Sequence, residues 1–292
     1  MNRARADAVD AAADLVVIAR ALPPVVLDRL AALARASAVE PLPRAAGATV
    51  RAWRLAGGRG SAALDEACAA ASADCASVPR DRRRADVGVL AMDMDSTLIT
   101  IECIDEIADC AGVKTEVAAI TRSAMRGEID FRESLERRVR LLAGLRVEAL
   151  EEVYRERVRP SDGAAALLAA FRSAGARTLL VSGGFTYFTS RLRAELGFDE
   201  AVANELEIAG GRLTGRLAGP IVDADGKAAA LRAARARSRP GLAVAIGDGA
   251  NDLPMLVAAD VSIAYRAKPL VRERATHAID HGGLDAVIAL FR

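Results

Sequence analysis

Apolar runs that stop abruptly at polar residues give this chain its first predictable elements. Residues 87–92 are apolar throughout and are followed at once by an Asp-Met-Asp-Ser-Thr sequence at 93–97. A short apolar run without alternation is typical of a strand buried in a parallel sheet, and ligands of such sheets bind beyond the carboxyl ends of the strands. We therefore expect Asp93 and Asp95 at the mouth of a crevice. A turn rich in Asp and Ser is the alternative.

Two later apolar runs end in the same way. Residues 178–181 precede a Ser-Gly-Gly-Phe sequence at 182–185, and residues 242–246 precede a Gly-Asp-Gly-Ala-Asn-Asp sequence at 247–252. Glycines at a strand end allow close approach to the backbone, and a following helix offers free N–H groups to an anion. For 182–185 an ordinary glycine-rich turn is the alternative. Residues 205–217 are predicted to form a hairpin around two glycines.

The stretch after the first of these strands is predicted to be wholly helical. Its four helices are expected at 102–110, 115–125, 131–143 and 147–158. A helical insert placed directly after the first strand of an α/β core can cover the mouth of the site. Such a cap would exclude water and select the substrate.

The beginning of the chain shows a different order of elements. Strands are predicted at 15–19 and 49–55, and helices at 24–36 and 61–71. This order resembles part of a small ferredoxin-like α+β module. The arginine-rich run at 80–84 is predicted to be a solvated linker, because it lacks the interleaved aromatic residues that would favour a nucleic-acid patch.

These patterns predict an α/β protein built around a Rossmann-like core with a parallel sheet. We expect an N-terminal α+β accessory domain over residues 1–85 and the core domain over residues 86–292. Within the core domain, the helical cap is expected to occupy about residues 100–160.

The overall composition of the chain gives no indication of a nucleic-acid or membrane partner. The chain has 292 residues, 52% of them hydrophobic, and a formal net charge of +1, which gives no overall bias toward nucleic acid or a membrane surface. No apolar run approaches the roughly 18 residues of a transmembrane helix, and the first ten residues lack the apolar segment of a signal peptide. A cytoplasmic location is therefore expected. The oligomeric state is left open, a homodimer included.

The cysteines form two pairs with the same spacing. Cys68 and Cys75 are seven residues apart, as are Cys103 and Cys110. On a helix, each pair would share a face but lie about 10 Å apart along the axis, too far for a disulfide or a common metal ion. Buried apolar residues are the expected role. The two histidines lack a ligand set around them and are assigned no role.

Lysine is scarce in this chain. Of the 40 basic residues only three are lysines, namely Lys114, Lys227 and Lys268. Lys227 lies near the start of an alanine-rich helix that is predicted to run to about residue 237. A chain that uses arginine almost everywhere can keep lysine where a compact ammonium is needed. An ordinary surface lysine is the alternative.

The polar strand ends together suggest phosphoryl-transfer chemistry. Two carboxylates with one residue between them repel each other unless a cation lies between them, and the acidic residues of 247–252 add to that repulsion. Oxygen ligands without nearby histidine or cysteine favour Mg²⁺ over Zn²⁺. Phosphoryl transfer requires positioning and neutralisation of charge, and a metal ion, a lysine and a hydroxyl supply both.

In order and spacing, these motifs resemble those of the haloacid dehalogenase superfamily. Residues 93–97 resemble its first motif, Ser182 its second, Lys227 its third and residues 247–252 its fourth. The resemblance covers about residues 87–292. Within the superfamily it is narrowed to the phosphoserine phosphatase family by four cap residues that look like that family's substrate contacts, namely Glu102, Met125, Phe131 and Arg138.

The resemblance implies a covalent mechanism. Asp93 would attack phosphorus to form an aspartyl-phosphate, and Asp95 would protonate the leaving oxygen and then deprotonate the hydrolytic water. Mg²⁺ would be held by the Asp93 side chain, the Asp95 backbone carbonyl and Asp248, with Asp252 orienting these ligands. The phosphate would be bound by Ser182, Gly183, Lys227 and Asn251.

The implied substrate is O-phospho-L-serine, whose hydrolysis is the last step of serine biosynthesis. Its ammonium and carboxylate require one anionic and one cationic partner, which Glu102 and Arg138 can supply, although both could be ordinary surface charges. One alternative is hydrolysis of another small phosphomonoester or phosphotransfer to an acceptor such as homoserine. The other is a catalytically silent phosphate-binding regulator. The ligand of the N-terminal domain is not predicted.

Overall fold

A computed structural model of the chain describes residues 13–292, which form two β-sheets with helices packed on them. The first sheet is antiparallel, with strand order β2-β3-β1-β4. Its domain contains β1 (Ala13–Ala19), α1 (Pro24–Leu33), β2 (Ala38–Pro41), β3 (Arg51–Ala56), α2 (Ala62–Ala70) and β4 (Asp74–Pro79). This order of strands and helices is that of a ferredoxin-like α+β module. Strands β2 and β4 were not predicted from the sequence.

The second sheet has seven strands and forms the core domain. Its elements are, in chain order, β5 (Val87–Met92), α3 (Cys103–Cys110), α4 (Lys114–Met125), α5 (Phe131–Leu141), α6 (Glu148–Arg157), α7 (Ala164–Ser173), β6 (Arg177–Phe185), α8 (Thr186–Leu196), β7 (Glu200–Ala209), β8 (Arg212–Ala218), α9 (Ala224–Ala236), β9 (Leu242–Gly247), α10 (Leu253–Ala258), β10 (Val261–Tyr265), α11 (Pro269–Arg274) and β11 (His277–Ile279). The predicted α/β class with a mainly parallel sheet is confirmed.

The strand order of this sheet locates its ligand crevice. The order is β11-β10-β9-β5-β6-β7-β8, and every neighbouring pair is parallel except β7 and β8. From β5 the chain continues to β6 on one side, and β9 is added later on the other side. Such a reversal of strand order opens a crevice at the carboxyl ends of the strands. The end of β5 therefore lies at the expected position of a binding site.

Helices α3 to α6 form a cap inserted between β5 and α7. The chain leaves and re-enters the core side by side, since the Ser161 N–H donates to the Leu98 carbonyl at 2.8 Å. The Thr100 N–H likewise donates to the Arg159 carbonyl at 3.2 Å. These contacts fix both ends of the cap at the same place on the core. Among residues 13–292, no helix is long and apolar enough to cross a membrane.

The N-terminal sheet is covered on both faces. Alternate residues of β1 point to opposite sides, so that Val17 packs among α1 and α2 while Val16 and Ile18 belong to the core-domain cluster. Their partners in that cluster include Val287 of the 3-10 segment Leu284–Leu290. The module is thus packed between its own helices and the end of the core domain.

Two buried carboxylates, Asp74 and Asp285, fasten the domains to each other. Asp74 of β4 accepts backbone N–H groups of the core, from Asp280 at 2.7 Å and from Gly282 at 2.8 Å. In the other direction, Asp285 accepts the N–H of Val50 at 3.0 Å and also bonds Thr49. Hydrogen bonds to charged groups contribute more to stability than neutral ones, so these contacts oppose relative motion of the two domains.

The structure corrects two sequence interpretations. Cys68 lies in α2 and Cys75 in β4, so this pair does not share a helix, because the chain turns between the two residues. The run at 80–84 is not simply a solvated linker. Arg80 pairs with the buried Asp14 at 2.9 Å, and the Arg82 guanidinium lies 5.7 Å from the centre of the Phe291 ring.

Candidate active site

Asp93 and Asp95 occupy the turn that follows the central strand β5. The Asp93 N–H donates to the Ile246 carbonyl at 3.0 Å, which continues the pairing of β5 with β9. The chain then enters a distorted helical turn, in which Ser96 has a φ of +56°. This sharp turn places both aspartate side chains at the end of the strand, where the crevice was expected.

Lys227 forms a buried ion triad with Asp93 and Asp252. Its Nζ lies 2.6 Å from Asp93 Oδ1 and 2.7 Å from Asp252 Oδ1, and only 1% of the lysine is exposed. The lysine lies in the first turn of α9, which is capped by Asp223 through a 2.9 Å bond from the Gly226 N–H. A buried charge must be paired to be tolerated, so the scarce lysine has a defined partner set.

Carboxylate oxygens of Asp93, Asp248 and Asp252 lie within 4.8 Å of one another. Asp252 uses Oδ2 to accept the N–H groups of Asp248 and Gly249, at 3.1 and 3.0 Å. A Cβ at Gly247 would come 2.6 Å from this carboxylate, so glycine is required there. Because both Asp252 oxygens are engaged, Asp93 and Asp248 are better placed to offer an oxygen to a cation.

The electrostatics of the acidic cluster favour a bound cation. Burial raises the pKa of Asp93 well above its usual range, and Asp252 adds to the shift while Lys227 opposes it. Burial, with help from Asp252, raises the pKa of Asp248 to about 6. Although burial alone would lower the pKa of Lys227, the two aspartates raise it above its ordinary value. One ammonium among three carboxylates leaves negative charge that a divalent metal ion with oxygen ligands would neutralise.

Asp95 lies between hydrogen-bond donors from the cap and from β6. Its Oδ1 accepts the Cys103 N–H at 2.9 Å, and its Oδ2 accepts the Ser182 hydroxyl at 3.4 Å. Burial, and to a smaller extent the charge of Glu102, raises the pKa of Asp95 to about 7. A carboxyl group with such a pKa can both give and take a proton near neutral pH.

The end of β6 forms the opposite wall of the crevice. The Gly184 N–H donates to Ser182 Oγ at 2.8 Å, and a Cβ at Gly184 would lie 2.7 Å from Asp95 Oδ2. Gly183 is held from behind by Asn204, whose side-chain nitrogen donates to the Gly183 carbonyl at 2.8 Å. The absence of side chains therefore allows this strand end to approach the aspartates.

A cavity of about 450 Å³ lies between cap and core. This volume suits a small metabolite. All residues predicted for the site line it except Ser182 and Asp252, which lie behind its wall; the predicted residues along it are Asp93, Asp95, Glu102, Met125, Phe131, Arg138, Gly183, Lys227, Asp248 and Asn251. The cap and core residues predicted separately are thus brought to one space.

The cap supplies both charged and apolar groups to this cavity. Glu102 is exposed and accepts the Ser96 hydroxyl at 2.6 Å, whereas Arg138 is half-buried and donates to the Ser134 carbonyl at 3.3 Å. Phe131 lies against Gly183, because a Cβ there would be 3.0 Å from its ring. Met125 lies at the rim with 69% of its surface exposed.

Comparison with known proteins agrees with this geometry. A family model of haloacid dehalogenase-like hydrolases matches residues 90–257, and a second model of the same description matches residues 227–290. A phosphoserine phosphatase of a Polaromonas species is 52% identical over 219 residues, which are 73% of this chain and 93% of that protein. The chain belongs to the haloacid dehalogenase-like hydrolases.

Comparison with solved structures indicates which family within the haloacid dehalogenase-like hydrolases this chain resembles. A probable phosphoserine phosphatase from Vibrio cholerae, in unliganded form, matches 95% of this chain and 85% of its own with a TM-score of 0.82 and 34% identity. A substrate-bound phosphoserine phosphatase complex matches 70% of this chain and 99% of its own, with a TM-score of 0.66 and 36% identity. The predicted resemblance to the phosphoserine phosphatase family is therefore confirmed.

Two residues of this hydrolase site were not predicted from the sequence. Asn204 is 1% exposed and lies inside β7, which was expected to begin only at residue 205. An asparagine directly after the small apolar residues 201–203 was the signal that could have identified it. Lys268 also lines the cavity. The scarcity of lysine, which drew attention to Lys227, applied equally to Lys268.

Proposed function

We propose that this protein hydrolyses O-phospho-L-serine to L-serine and phosphate through an aspartyl-phosphate. The observation that carries the proposal is the buried triad of Lys227, Asp93 and Asp252 at the floor of a cavity whose wall bears Glu102 and Arg138. The floor has the charges needed for a phosphoryl group, and the wall has those needed for an amino acid. The membership of the phosphoserine phosphatase family supports the same substrate.

In the first step, an Asp93 oxygen attacks phosphorus as the bond between phosphorus and the serine oxygen breaks. Lys227 holds Asp93 through Oδ1 and so fixes the orientation of the nucleophile. The leaving serine oxygen takes the proton of Asp95, whose raised pKa of about 7 keeps a protonated fraction available near neutral pH.

In the second step, water hydrolyses the aspartyl-phosphate. Asp95, now ionised, takes the proton of the attacking water, and the bond between phosphorus and Asp93 breaks to release phosphate. The Cys103 N–H and the Ser182 hydroxyl hold Asp95 in place through both steps. Ser182, the Gly183 N–H, Lys227 and Asn251 are the proposed phosphate contacts, since they lie along or directly behind the cavity wall.

Mg²⁺ is the proposed cofactor. Haloacid dehalogenase-like phosphatases generally use a metal ion, and the acidic cluster fits a hard divalent cation. The Asp93 and Asp248 carboxylates and the Asp95 backbone carbonyl would hold it, with Asp252 orienting Asp248 through its N–H. When bound, the ion would neutralise charge on the transferring phosphoryl group. A cytoplasmic role in serine biosynthesis is part of the same proposal.

Recognition of the amino-acid end is assigned to Glu102 and Arg138. Glu102 would accept the substrate ammonium, and Arg138 would donate to its carboxylate. Phe131 and Met125 would cover the short side chain between them, since both line the cavity from the cap. Another small phosphomonoester remains the second candidate, because the catalytic floor alone does not distinguish between leaving groups.

Phosphate release from L-phosphoserine and from an aryl phosphate tests this function, in metal-free protein with and without added Mg²⁺. We expect the wild type to turn over L-phosphoserine only when Mg²⁺ is added, and Asp93→Asn to show no turnover. Glu102→Ala should have a raised KM for L-phosphoserine and an unchanged KM for the aryl phosphate. The matched control is Glu128→Ala, since Glu128 is an exposed cap carboxylate paired with Arg126 outside the cavity. Turnover of the aryl phosphate alone would favour the second candidate, and turnover of neither would favour a phosphate-binding regulator.

A further inference from the structure

Lys268 is a cation of the active-site cavity to which the mechanism above assigns no role. It lines the cavity and is exposed. Within residues 13–292, no carboxylate lies within 4 Å of its ammonium, whereas Lys227 is paired twice and Lys114 once. Its backbone N–H donates to the Asp248 carbonyl at 3.3 Å. The backbone of Lys268 therefore lies beside a residue of the acidic cluster, and the lysine contributes to the wall of the same cavity.

The loop that carries Lys268 is held in an unusual conformation. Arg266 has a φ of +46°, a left-handed conformation that costs a residue with a side chain about 1–2 kcal/mol. Two hydrogen bonds hold it there, from its N–H to the Ile279 carbonyl at 2.7 Å and from its guanidinium to the Gly282 carbonyl at 3.1 Å. Such strain persists only where surrounding contacts determine the conformation. Lys268 follows two residues later, at the cap position of α11.

The carboxylates around the cavity indicate how the Lys268 ammonium can assist substrate binding. Besides the buried triad, the cavity wall carries the carboxylates of Asp95, Glu102, Asp105 and Asp248. A phosphomonoester that enters the cavity is itself an anion, so these groups repel it. Arg138 is placed on the cap for the substrate carboxylate. Lys268 is then the cation at the core side of the cavity that is free to offset the repulsion.

We propose that Lys268 draws the phosphate end of the substrate into the cavity and orients it toward Asp93. This inference rests on the proposed phosphatase function. Lys268 is a positioning residue, since its ammonium acts on capture and binding of the substrate, while bond breaking is carried out by Asp93 and Asp95. Its contribution belongs to kcat/KM and depends on ionic strength.

The test compares Lys268→Gln with wild type by kcat/KM for L-phosphoserine over a range of salt concentrations. We expect the variant to lose about tenfold in kcat/KM at low salt, with kcat changed less than about twofold and the difference shrinking near 1 M salt. Lys268→Arg should restore most of the loss because it keeps the charge. The matched control is Lys114→Gln, which removes an exposed lysine of α4 paired with Asp109 and should behave as wild type.

A loss in kcat, a loss that persists at high salt, or an equal loss in Lys114→Gln would overturn the role of Lys268. Calorimetric binding of inorganic phosphate to the Mg²⁺-loaded protein separates this inference from the proposed function. If the wild type binds phosphate but does not hydrolyse L-phosphoserine, the proposed function fails. In that case, salt-dependent weakening of phosphate binding in Lys268→Gln still supports the inference, and unchanged binding rejects it.

Discussion

Asp95 is held by donors on both sides, and this arrangement determines what a substitution at this residue does. The Cys103 N–H bonds Oδ1 and the Ser182 hydroxyl bonds Oδ2. An asparagine keeps an oxygen for Cys103 but can neither give nor take the required proton. The chemistry can therefore be removed with little change to the local structure.

We predict that Asp95→Asn lowers kcat for L-phosphoserine by about 10²–10⁴-fold, the usual contribution of a general acid or base. An aryl phosphate has a leaving group that departs without a proton, so its first step should be largely spared while hydrolysis of the aspartyl-phosphate is slowed. Rapid mixing should then show a burst of the aryl alcohol close to one equivalent of enzyme. Equal slowing of both phases would contradict separate acid and base roles.

His277 provides a pH dependence that is independent of the active site. Its Nε2 lies 2.7 Å from an Arg82 guanidinium nitrogen, and burial together with that cation lowers the pKa of His277 to about 3. The unfolded chain binds a proton at this histidine below about pH 6.5, whereas the folded chain does so only near pH 3. Folding stability contributed by the neutral imidazole is therefore present above pH 6.5 and is lost as the pH falls through that window.

We expect urea unfolding to show this loss in wild type and not in His277→Gln, which keeps an acceptor for Arg82 without titrating. The difference in unfolding free energy between the two proteins should change by about 1–2 kcal/mol between pH 7 and pH 5. A parallel pH dependence of both proteins would show that another group is responsible.

The proposed catalytic residues Asp93 and Asp95 could be singled out in the sequence because they follow an apolar run whose end is visible. The residues that were missed have no such marker. Asn204 acts from inside a strand, and Lys268, which lines the cavity, follows a loop in which Arg266 has a left-handed conformation. Such effects depend on contacts between segments that are distant in sequence.

At the scale of elements, the cap helices were predicted within two residues at each end. Their boundaries have local causes, such as the Asp130 side chain that accepts the Glu133 N–H at 2.8 Å and the positive φ of Gly112, Gly127 and Gly144 at the joints. Strand β2 was missed because all of its residues are exposed, which leaves no apolar alternation to detect. In β4 a buried charged residue, Asp74, occupies an inward position where an apolar residue would have marked the strand, because it bonds the core domain.

The N-terminal cap of α9 affects both the stability of the helix and the position of Lys227. Asp223 caps the helix whose first turn carries Lys227, and Ser61 caps α2 in the other domain through a 3.2 Å bond from the Leu64 N–H. We predict that Asp223→Ala and Ser61→Ala each lower the unfolding free energy by about 1 kcal/mol. Only Asp223→Ala should also lower kcat, because it loosens the turn that positions Lys227. Equal activity of the two variants would contradict this link.

At the scale of the whole molecule, the interface of the two domains could not be predicted. Both Asp74 and Asp285 bond backbone groups of the opposite domain, and a sequence gives no indication of which amides a distant carboxylate will find. The comparison with Vibrio cholerae covers 95% of this chain, so a similar two-domain fold occurs in another protein. The structure predicts that the domains unfold as one unit.

Trp53 of β3, the single tryptophan of the chain, reports on the N-terminal domain. Denaturation followed by its fluorescence and by far-UV circular dichroism should give coincident transitions in wild type. Asp285→Ala leaves the Thr49 and Val50 N–H groups without an acceptor and should lower stability by about 2–4 kcal/mol while separating the transitions. The control is Asp162→Ala, which removes an exposed ion pair with Arg20 across the same interface and should cost less than about 1 kcal/mol. If the fluorescence and circular dichroism transitions were already separate in the wild type, the prediction that the two domains unfold as one unit would be refuted.

The packing of β1 against the 3-10 segment has a consequence for the growing polypeptide on the ribosome. Val16 and Ile18 are made about 270 residues before Val287, which belongs to the same buried cluster. At about 5–20 residues per second, the outer face of the N-terminal sheet stays uncovered for tens of seconds during translation. Newborn chains should therefore depend on chaperones that shield apolar surface until synthesis passes residue 290.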